Sequence, residues 1–322
     1  MLRFASRRLL YSLPVLLIGS FLLFWAVRTV FDPLVKVRQV RDPELIARET
    51  ERLGLDESVP VQYWNWLTGF LSGDWGISSR TSGEVRPMIT SALAVTLELL
   101  VWSLIFATIA AVVIGVWSAV RQYSVSDHAL TGLAYVGLAI PAFWMGLVLI
   151  QVLAVWPQQA FGWDKPPLYF VGLSSPTEES SLLDTARHMV LPVLTLTVGL
   201  VAVWSRFTRT SMLDALSSDY VRTARAKGVP RSRVIVHHAL RNSWGPLVTV
   251  VAIDSALLIG GLLVTEQVFS IPGMGRLFLD SLLAGDVFVL LPWMIITGAA
   301  VILLNLAADI TYGILDPRVR VT

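Results

Sequence analysis

The stretch Leu99-Leu-Val-Trp-Ser-Leu-Ile-Phe-Ala-Thr-Ile-Ala-Ala-Val-Val-Ile-Gly-Val-Trp-Ser-Ala-Val120 carries no charged residue. As a helix it would be about 33 Å long, enough to cross the hydrocarbon core of a bilayer, which is about 30 Å thick. Hydrophobic residues make up 55% of the 322-residue chain and charged residues only 15%. That is more apolar surface than a soluble fold of this length can bury. The sequence therefore predicts an all-α integral membrane protein.

Five further segments have the length and character of membrane spans. Residues 9–27, 129–155 and 287–308 form long uncharged runs, while 189–205 and 246–268 are less regular. The segment 246–268 contains Asp254, which costs about +3 kcal/mol at the centre of a membrane helix, whereas its Leu, Ile and Val residues supply up to about −5 kcal/mol of insertion free energy. We therefore expect this segment to insert, which gives six transmembrane helices.

The distribution of positive charge predicts the orientation of these helices. With a cytoplasmic N-terminus, the inner segments 1–8, 121–128, 206–241 and 315–322 hold 14 of the 25 Lys and Arg residues in only 60 positions. Basic loops of short length stay on the cytoplasmic side, so both termini are expected there. Phe24-Trp-Ala-Val-Arg28 offers no small-x-small cleavage site, and the first run is therefore expected to be a retained helix.

These spans predict the following organisation of the chain. A tail and first transmembrane helix (1–31) precede an extracytoplasmic loop with short helices (32–94). A five-helix core (95–314) contains a cytoplasmic loop (207–242), and a cytoplasmic tail follows (315–322). The predicted helices of the core are 95–120, 129–155, 188–206, 244–268 and 287–311.

The extracytoplasmic loop shows two helix patterns. Asp42 is a favourable N-cap before Pro43, and Gly54 ends the run, so a helix is expected over residues 43–53. A second, aromatic-rich pattern follows, whose apolar side is either at the lipid headgroups or packed on the membrane helices. The residues on or beside that side are Val61, Tyr63, Trp64, Trp66, Leu67, Phe70 and Leu71.

The stretch Asp219-Tyr-Val-Arg-Thr-Ala-Arg-Ala-Lys-Gly-Val-Pro230 predicts a short cytoplasmic helix. Ser218 and Asp219 are candidate N-caps, and Gly228 followed by Pro230 marks the C-terminal end. A helix of about two turns is not stable alone in water, so it must pack on something. Two interpretations remain: an ordinary solvated connector, or a docking helix. In the second, a partner approaches the face formed by Tyr220, Thr223, Ala224 and Lys227.

No residue pattern indicates an enzyme, a cofactor or a metal site. The sequence lacks a phosphate-binding G-x-x-x-x-G-K-[ST] loop, an H-E-x-x-H pair and a G-x-S-x-G elbow, and it contains no cysteine. His237 and His238 are adjacent on a predicted helix, so their rings point about 100° apart. Glu98 and Glu266 are expected near the outer helix ends, in reach of water, and Asp309 near an inner end.

Asp254 is different, because its position predicts a place near the middle of the membrane. Intramembrane acids face a cavity or a partner group. Gly260 and Gly261 follow and would permit close helix contact or line an opening. Asp254 is thus either a polar point on a substrate path or, as we favour, a hydrogen-bonding group that fixes helix packing.

The cytoplasmic helix also carries a family resemblance. Tyr220-Val-Arg-Thr-Ala-Arg-Ala-Lys-Gly228, continued by His238-Ala-Leu-Arg-Asn242, resembles the coupling-loop motif of permease subunits of bacterial ABC importers. The form is that of the dipeptide, oligopeptide and nickel branch. Arg222, Thr223 and Ala224 stand where the general motif has Glu-Ala-Ala, a departure typical of the peptide branch.

Other stretches that agree are spread over most of the chain and resemble the B-type dipeptide permease, the first of the two permease subunits of this branch. At Phe31-Asp-Pro33 the chain departs from the family, which more often has a Pro-Gly-Asp-Pro turn. The agreeing stretches are Arg7-Arg-Leu-Leu with Leu13-Pro14, Leu53-Gly-Leu-Asp56, Pro60-Val-Gln-Tyr63, Gly73-Asp-Trp-Gly76, Thr96-Leu-Glu-Leu99, Glu266-Gln-Val-Phe-Ser-Ile-Pro-Gly-Met-Gly-Arg276 and Asp309 with Leu315-Asp-Pro-Arg318.

The resemblance implies a type I ABC importer permease fold in the bacterial cytoplasmic membrane, forming half of a translocation path for peptides or a related solute. Relatives carry dipeptides, oligopeptides, glutathione and nickel complexes. The implied partners are a second homologous permease, two cytoplasmic ATPase subunits, separate or fused, an extracytoplasmic solute-binding protein and membrane lipid, with no nucleic acid.

The resemblance also assigns residue roles. Pro272-Gly-Met-Gly275 is expected to be a tight outer turn whose glycines supply positive φ angles, and to help form the outer gate or the dock of the binding protein. An alternative function is a proton-coupled secondary transporter with Asp254 as the carrier. The implied coupling helix comprises Asp219, Tyr220, Arg222, Thr223, Ala224, Arg225, Ala226, Lys227 and Gly228, and the implied gate comprises Pro272, Gly273, Met274, Gly275 and Arg276.

Overall fold

The helices of the protein follow the apolar runs of its sequence. The computed structural model describes residues 2–175 and 181–315, and in these ranges the β-structure is an isolated bridge between Ile77 and Glu84. The helices are α1 (Leu2–Val30), α2 (Val35–Val40), α3 (Pro43–Arg52), α4 (Val59–Ser72), α5 (Val85–Val120), α6 (Val125–Ala139), α7 (Ala142–Ile150), α8 (Trp156–Phe161), α9 (Leu182–Ser217), α10 (Asp219–Ala226), α11 (Arg231–Arg233), α12 (Arg241–Gly261), α13 (Leu263–Val268), α14 (Met274–Leu283) and α15 (Val287–Leu315), with π-helical turns at Gln151–Val155 and Val234–Leu240.

Five helical stretches are long and apolar enough to cross a membrane. Four of them correspond to the predicted spans 9–27, 99–120, 189–205 and 287–308, and the fifth covers only the second half of 129–155. Within the described ranges these are Leu10–Val30, Val85–Val120, Ala142–Phe161, Leu182–Ser217 and Val287–Ala307. The remaining span, 246–268, corresponds to α12 and α13, which are separated at Leu262 and are not among these five. The total of six transmembrane helices and the cytoplasmic position of both termini therefore stay predictions. Residues 316–322 of the predicted tail lie outside the described residues.

The third predicted span is not one helix. Ile140 has an extended backbone (φ −84°, ψ 123°) and Pro141 precedes α7, so the segment 129–155 divides between α6 and α7. Proline has no N–H to donate and disfavours helical geometry in the residue before it. The prediction of a continuous helix here was wrong because Pro141 outweighs the apolar character of the run.

The chain divides into two units. The amino-terminal unit comprises Leu2–Thr96 and Pro272–Leu303, and the central unit comprises Leu97–Ile271 and the chain from Leu304 onward. Helices α5 and α15 contribute residues to both units.

In the amino-terminal unit, α4 packs on α1. Tyr63 is buried against Phe24, and its hydroxyl shares a 2.7 Å hydrogen bond with Ser20. Leu67 and Phe70 are buried beside it. Trp64 and Leu71 are 63% and 73% exposed. The aromatic helix therefore has one face for packing and another free for the headgroup region, and the prediction that all its apolar residues share one side was wrong.

The preceding helix, α3, confirms its sequence pattern. The Asp42 side chain accepts hydrogen bonds from the backbone N–H groups of Glu44 and Leu45, at 2.9 and 3.4 Å. Pro43 occupies the first helical position, where its missing N–H costs nothing.

The central unit is organised around α9. In the most apolar 18-residue stretch of α9, 67% of the residues are buried within the chain, against 17% in that of α1. Helix α9 contacts α6, α7 and α12. Gly115 of α5 lies so close to α9 that a Cβ there would be 2.6 Å from Thr208 Cβ and 2.8 Å from the carbonyl oxygen of Ser205. Only glycine permits this approach of the two backbones.

The two glutamates that were expected near outer helix ends differ in their exposure. Glu98 is exposed, as predicted, but Glu266 has no accessible surface. The chain turns back after α13, where the N–H of Ile271 donates to the carbonyl of Glu266 at 2.8 Å, and the side chains of Phe269 and Ile271 in this turn are also buried. The prediction that water reaches Glu266 was wrong for that reason. Asp309 lies on α15.

Candidate functional site

The short helix predicted from Asp219 onward is confirmed as α10, eight residues long, and its cytoplasmic position stays a prediction. Ser218 has the extended backbone of an N-cap (φ −71°, ψ 155°), but its hydroxyl donates to the carbonyl of Ala215 at 2.5 Å and does not cap the helix. Asp219 is the first helical residue, where a carboxylate interacts favourably with the positive end of the helix dipole.

The C-terminal end of α10 has the geometry that its glycine predicts. Gly228 is left-handed at φ +76°, its N–H donates to Arg225 at 3.0 Å, and the N–H of Val229 donates to Ala224 at 3.2 Å. These two bonds form a Schellman motif. A Cβ at position 228 would have no heavy atom within 4 Å. The requirement for glycine is therefore one of backbone conformation alone.

One face of α10 packs on its own chain. Val221 is fully buried and Ala224 is 7% exposed. Of the four residues predicted to face a partner, Ala224 is therefore turned inward, because its small side chain serves close packing within the chain, whereas Tyr220, Thr223 and Lys227 are exposed. The residues around Val221 and Ala224 come from the ends of α5 and α9 and from the π-helical turn Val234–Leu240. They are Ala119, Met212, Ala215, Val234 and Ala239.

The opposite face of α10 is exposed and basic. Tyr220 is 43% exposed, and the ion pair between Arg222 and Asp219 of this helix is long at 3.6 Å, with both side chains largely exposed. Such a pair contributes little. The face thus offers an aromatic ring among positive charges. Its exposed members are Tyr220, Arg222, Thr223, Arg225, Ala226 and Lys227.

A pocket of about 690 Å³ opens beside the end of α10. Arg121, Arg225 and Arg231 line it together with apolar side chains that include Leu213 and Val229. The guanidinium of Arg121 lies 4.0 Å from the centroid of the Trp117 ring. An apolar surface with arginines around it suits a partner that carries both apolar and acidic side chains.

A buried ion pair lies next to this region, and the sequence interpretation missed it. Arg209 of α9 donates to both carboxylate oxygens of Asp127 of α6, from Nε at 2.9 Å and from Nη2 at 2.8 Å. Ser118 of α5 donates to the same carboxylate, as does the N–H of Tyr123 at 2.9 Å. Three helices and one loop therefore meet at Asp127.

The Arg209 hydrogen bonds hold the pKa of the Asp127 carboxyl well below its usual range, although burial acts in the opposite direction. The ion pair is therefore charged at any physiological pH. The sequence contained a sign of this site: Ser124 and Asp127 form an [ST]-x-x-[DE] pattern, and Ser124 Oγ accepts from the N–H of Asp127 at 3.2 Å. The partner Arg209 is too distant in sequence to have been found by spacing.

The predicted gate stretch has a different backbone from the one expected. Gly273 is the N-cap of α14 with φ −95°, and Gly275 lies inside that helix. The positive φ belongs to Ser270 at +53°, which ends α13. The prediction of glycines with positive φ was wrong, because the reversal occurs three residues earlier.

Met274, in the amino-terminal unit, is held at both backbone groups. Its N–H donates to Thr96 Oγ1 and its carbonyl accepts from Trp293 Nε1, each at 2.8 Å. The start of α14 is therefore fixed to α5 and α15 by hydrogen bonds.

Asp254 has a specific partner on a neighbouring helix. The indole Nε1 of Trp204, a fully buried residue of α9, donates to Asp254 Oδ2 at 2.7 Å. Asp254 itself is half-buried. This bond between α9 and α12 is what the helix-packing interpretation requires.

At the amino-terminal end of α9, Asp184 holds the preceding loop. Its carboxylate accepts from the N–H and the hydroxyl of Ser175, both at 2.8 Å, and only 4% of Asp184 is exposed. His237 is exposed and His238 half-buried. Among the described residues, no three His, Asp or Glu side chains converge on a metal-sized site.

Comparison with known proteins gives two family matches that cover almost the whole chain. Residues 111–321 match the family described as binding-protein-dependent transport system inner membrane component, and residues 1–100 match the N-terminal family of the same membrane components.

Individual relatives match over nearly their full length. The chain is 36% identical to the dipeptide transport system permease protein DppB of Escherichia coli strain K12, covering 99% of each chain. It is 37% identical to the oligopeptide transport system permease protein AppB of Bacillus subtilis strain 168, covering 99% of this chain and all of that one. It is 36% identical to the glutathione transport system permease protein GsiC of Salmonella choleraesuis, covering 99% of each.

The fold is also similar to that of a chain in the inward-facing MetNI methionine ABC transporter. The TM-score is 0.54 at 16% identity, covering 71% of this chain and 96% of the other. At that identity the likeness concerns the fold alone.

Proposed function

We propose that this chain, which belongs to the family of binding-protein-dependent transport system inner membrane components, is the permease subunit that forms half of the path of an ATP-driven peptide importer. It is a protein of the bacterial inner membrane. The observation that carries the proposal is α10, a short helix fixed on its inner side and exposed, aromatic and basic on its outer side.

The exposed face of α10 is the contact with a cytoplasmic ATPase. A surface with Tyr220, Arg222 and Lys227 is complementary to an acidic groove, and Tyr and Arg are the residue types that contribute most at protein interfaces. The pocket lined by Arg225 and Arg231 would accept an apolar side chain from the rim of that groove. Because Val221 and Ala224 anchor α10, it moves with the ends of α5 and α9 and does not move alone.

The chain itself does not hydrolyse ATP in this proposal. Its sequence lacks a nucleotide phosphate loop, so the energy comes from two partner ATPases, while a second permease completes the path and a solute-binding protein delivers the solute. The proton-carrier alternative has no support: Asp254 accepts a hydrogen bond from Trp204, and the relatives are transport system permease proteins.

The solute is a small peptide or a peptide-like molecule. The names of three relatives of similar identity refer to dipeptide, oligopeptide and glutathione transport, and these solutes share amide bonds and free carboxylates. Pro272, Gly273, Met274, Gly275 and Arg276 form the start of α14, and we assign this start to the outer gate or the binding-protein dock. This assignment is supported by the two hydrogen bonds of the Met274 backbone, with Thr96 and with Trp293, which fix the start of α14.

Reconstitution tests this function. The chain is co-expressed with a tag, purified in mild detergent with the subunits that accompany it, and placed in proteoliposomes with the binding protein. We expect peptide uptake that requires ATP and survives collapse of the proton gradient. Uptake lost only on gradient collapse, or ATP hydrolysis by the chain free of partners, would refute the proposal.

A further inference from the structure

We propose that the Asp127–Arg209 ion pair is the positioning element that passes displacement of α10 to α5 and α6, so that ATP hydrolysis is converted into solute movement. This inference rests on the proposed function of α10. It assigns to Asp127, Arg209 and Ser118 a role in energy coupling that is separate from ATPase contact.

The position of Arg209 in the chain is the first argument. Helix α9 ends at Ser217, and α10 begins at Asp219, so any displacement of α10 acts first on the last turns of α9. Arg209 lies about 12 Å before that end along the helix axis. It is therefore the first strongly bonded side chain between the α10 packing cluster and the membrane part of α9.

The geometry of the pair is the second argument. Two parallel bonds, at 2.9 and 2.8 Å, fix the direction of the guanidinium as well as its distance, which a single contact does not do. Arg209 Nε also lies 3.1 Å from Ser118 Oγ, which joins the end of α5 to the same point. The carboxylate of Asp127 is 1% exposed and is therefore shielded from water, while the Arg209 side chain is 26% exposed.

The helix contacts beside the pair are the third argument. Gly115 of α5 lies directly against Thr208 of α9, the residue before Arg209. Close backbone packing leaves no space for α9 to tilt without moving α5. The ion pair and the glycine contact together make the inner ends of α5, α6 and α9 a single body.

Stability alone is a poor explanation for such a pair. Burial of two charges costs solvation free energy that their attraction only partly returns, and apolar replacements of buried ion pairs are often neutral. What a bidentate pair supplies is fixed geometry. A role in transmission therefore explains why charge is placed at this junction.

The experiment compares solute moved with ATP consumed, in proteoliposomes that contain the complete importer. Uptake and phosphate release are measured on the same sample for the wild type, Asp127→Asn and Arg209→Lys. A loss of folded protein lowers both rates together and leaves their ratio unchanged. A loss of transmission lowers the ratio.

We expect Asp127→Asn to keep ATP hydrolysis while solute moved per ATP falls about fivefold or more, as for a coupling between sites. Arg209→Lys keeps the charge but cannot donate two parallel bonds, so its ratio falls to an intermediate value. The control is Asp184→Asn, which also removes a buried, hydrogen-bonded carboxylate, at the amino-terminal end of α9, and its ratio should equal that of the wild type.

A wild-type ratio in both Asp127→Asn and Arg209→Lys would overturn the inference, as would an equal fall in the Asp184→Asn control. Arg209→Lys decides the question if Asp127→Asn does not assemble, because the Arg209 side chain is 26% exposed and a lysine there reaches water. A wild-type assembly without ATP-dependent uptake would instead refute the proposed function, and the inference with it.

Discussion

The indole Nε1 of Trp204 donates a 2.7 Å hydrogen bond to Asp254 Oδ2, joining α9 to α12. Trp204 is fully buried, so the bond lies among apolar side chains of the central unit. An intramembrane acid usually indicates a substrate or ion pathway. Here the acid has a defined partner on a neighbouring helix, which supports the interpretation that it fixes helix packing.

The first prediction concerns the charge of Asp254. Asp254→Asn keeps an oxygen that accepts from Trp204, so uptake should stay near the wild-type level. Trp204→Phe removes the donor and should lower the amount of folded protein, because a buried acceptor left unsatisfied costs about 1–3 kcal/mol. Uptake in proteoliposomes and membrane abundance separate the two effects. Abolished uptake in Asp254→Asn at normal abundance would contradict the packing role.

The second prediction concerns Gly228 at the end of α10. Gly228→Val forces a β-branched residue into left-handed geometry at a local cost of about 1–2 kcal/mol. Nothing crowds a side chain at this position, so the change acts only on the backbone at the end of α10. We expect normal membrane abundance, with severe loss of uptake and of solute-stimulated ATP hydrolysis.

Gly162 provides the matched control for that experiment. It ends α8 with φ +65°, and a Cβ there also meets no atom within 4 Å. Gly162→Val therefore carries the same backbone cost outside the predicted coupling loop, and its uptake should be close to normal. Equal effects of the two substitutions would show that the end of α10 has no special role.

Residues close together in the sequence predicted most of the long helices and several helix ends. The apolar runs gave the membrane helices, and Asp42, Gly54, Gly228 and Pro230 marked helix ends, because capping depends on residues adjacent in the chain. The orientation of α10 was not predictable in the same way. Alanine occurs on both faces, at positions 224 and 226, and only tertiary packing shows that Ala224 is covered while Ala226 is exposed.

The ion pair that the sequence did not reveal joins residues far apart in the chain. Asp127 and Arg209 are 82 positions apart, and neither spacing nor composition links them. Glu266 was expected to be solvated because its helix ends there, whereas the returning chain buries it. Ser270 adopts the left-handed geometry that was expected of Gly273, since hydrogen bonds at the end of α13 compensate for the cost of a side chain.

The third prediction identifies which side of α10 meets the ATPase. The chain has no cysteine, so single cysteines can be introduced without background. Thr223→Cys and Ala226→Cys lie on the exposed face and should form disulfides with cysteines placed in the ATPase groove. Ala224→Cys lies on the buried face, 7% exposed, and should not react. Crosslinking at position 224 but not at 223 or 226 would show that α10 docks by its other side.

The fourth prediction concerns the close approach of α5 and α9. Gly115→Ala would place a methyl group 2.6 Å from Thr208 Cβ and 2.8 Å from the Ser205 carbonyl oxygen, which belongs to the helix backbone and cannot swing away. Overpacking of this kind costs about 1–3 kcal/mol. The thermal unfolding temperature of the purified protein in detergent should therefore fall.

Gly199 lies on α9, the helix that Gly115 of α5 packs against, and its replacement should raise the unfolding temperature. It is exposed, and a Cβ there meets no heavy atom within 4 Å, so Gly199→Ala should stabilise the helix by about 0.5–1 kcal/mol. The two substitutions are chemically identical, and each removes one helical glycine, so a shared effect on helix propensity cancels in their comparison. Opposite shifts in unfolding temperature would establish that α5 and α9 touch at Gly115. Equal shifts would mean that these helices have room to separate, and a displacement of α9 would then no longer have to move α5.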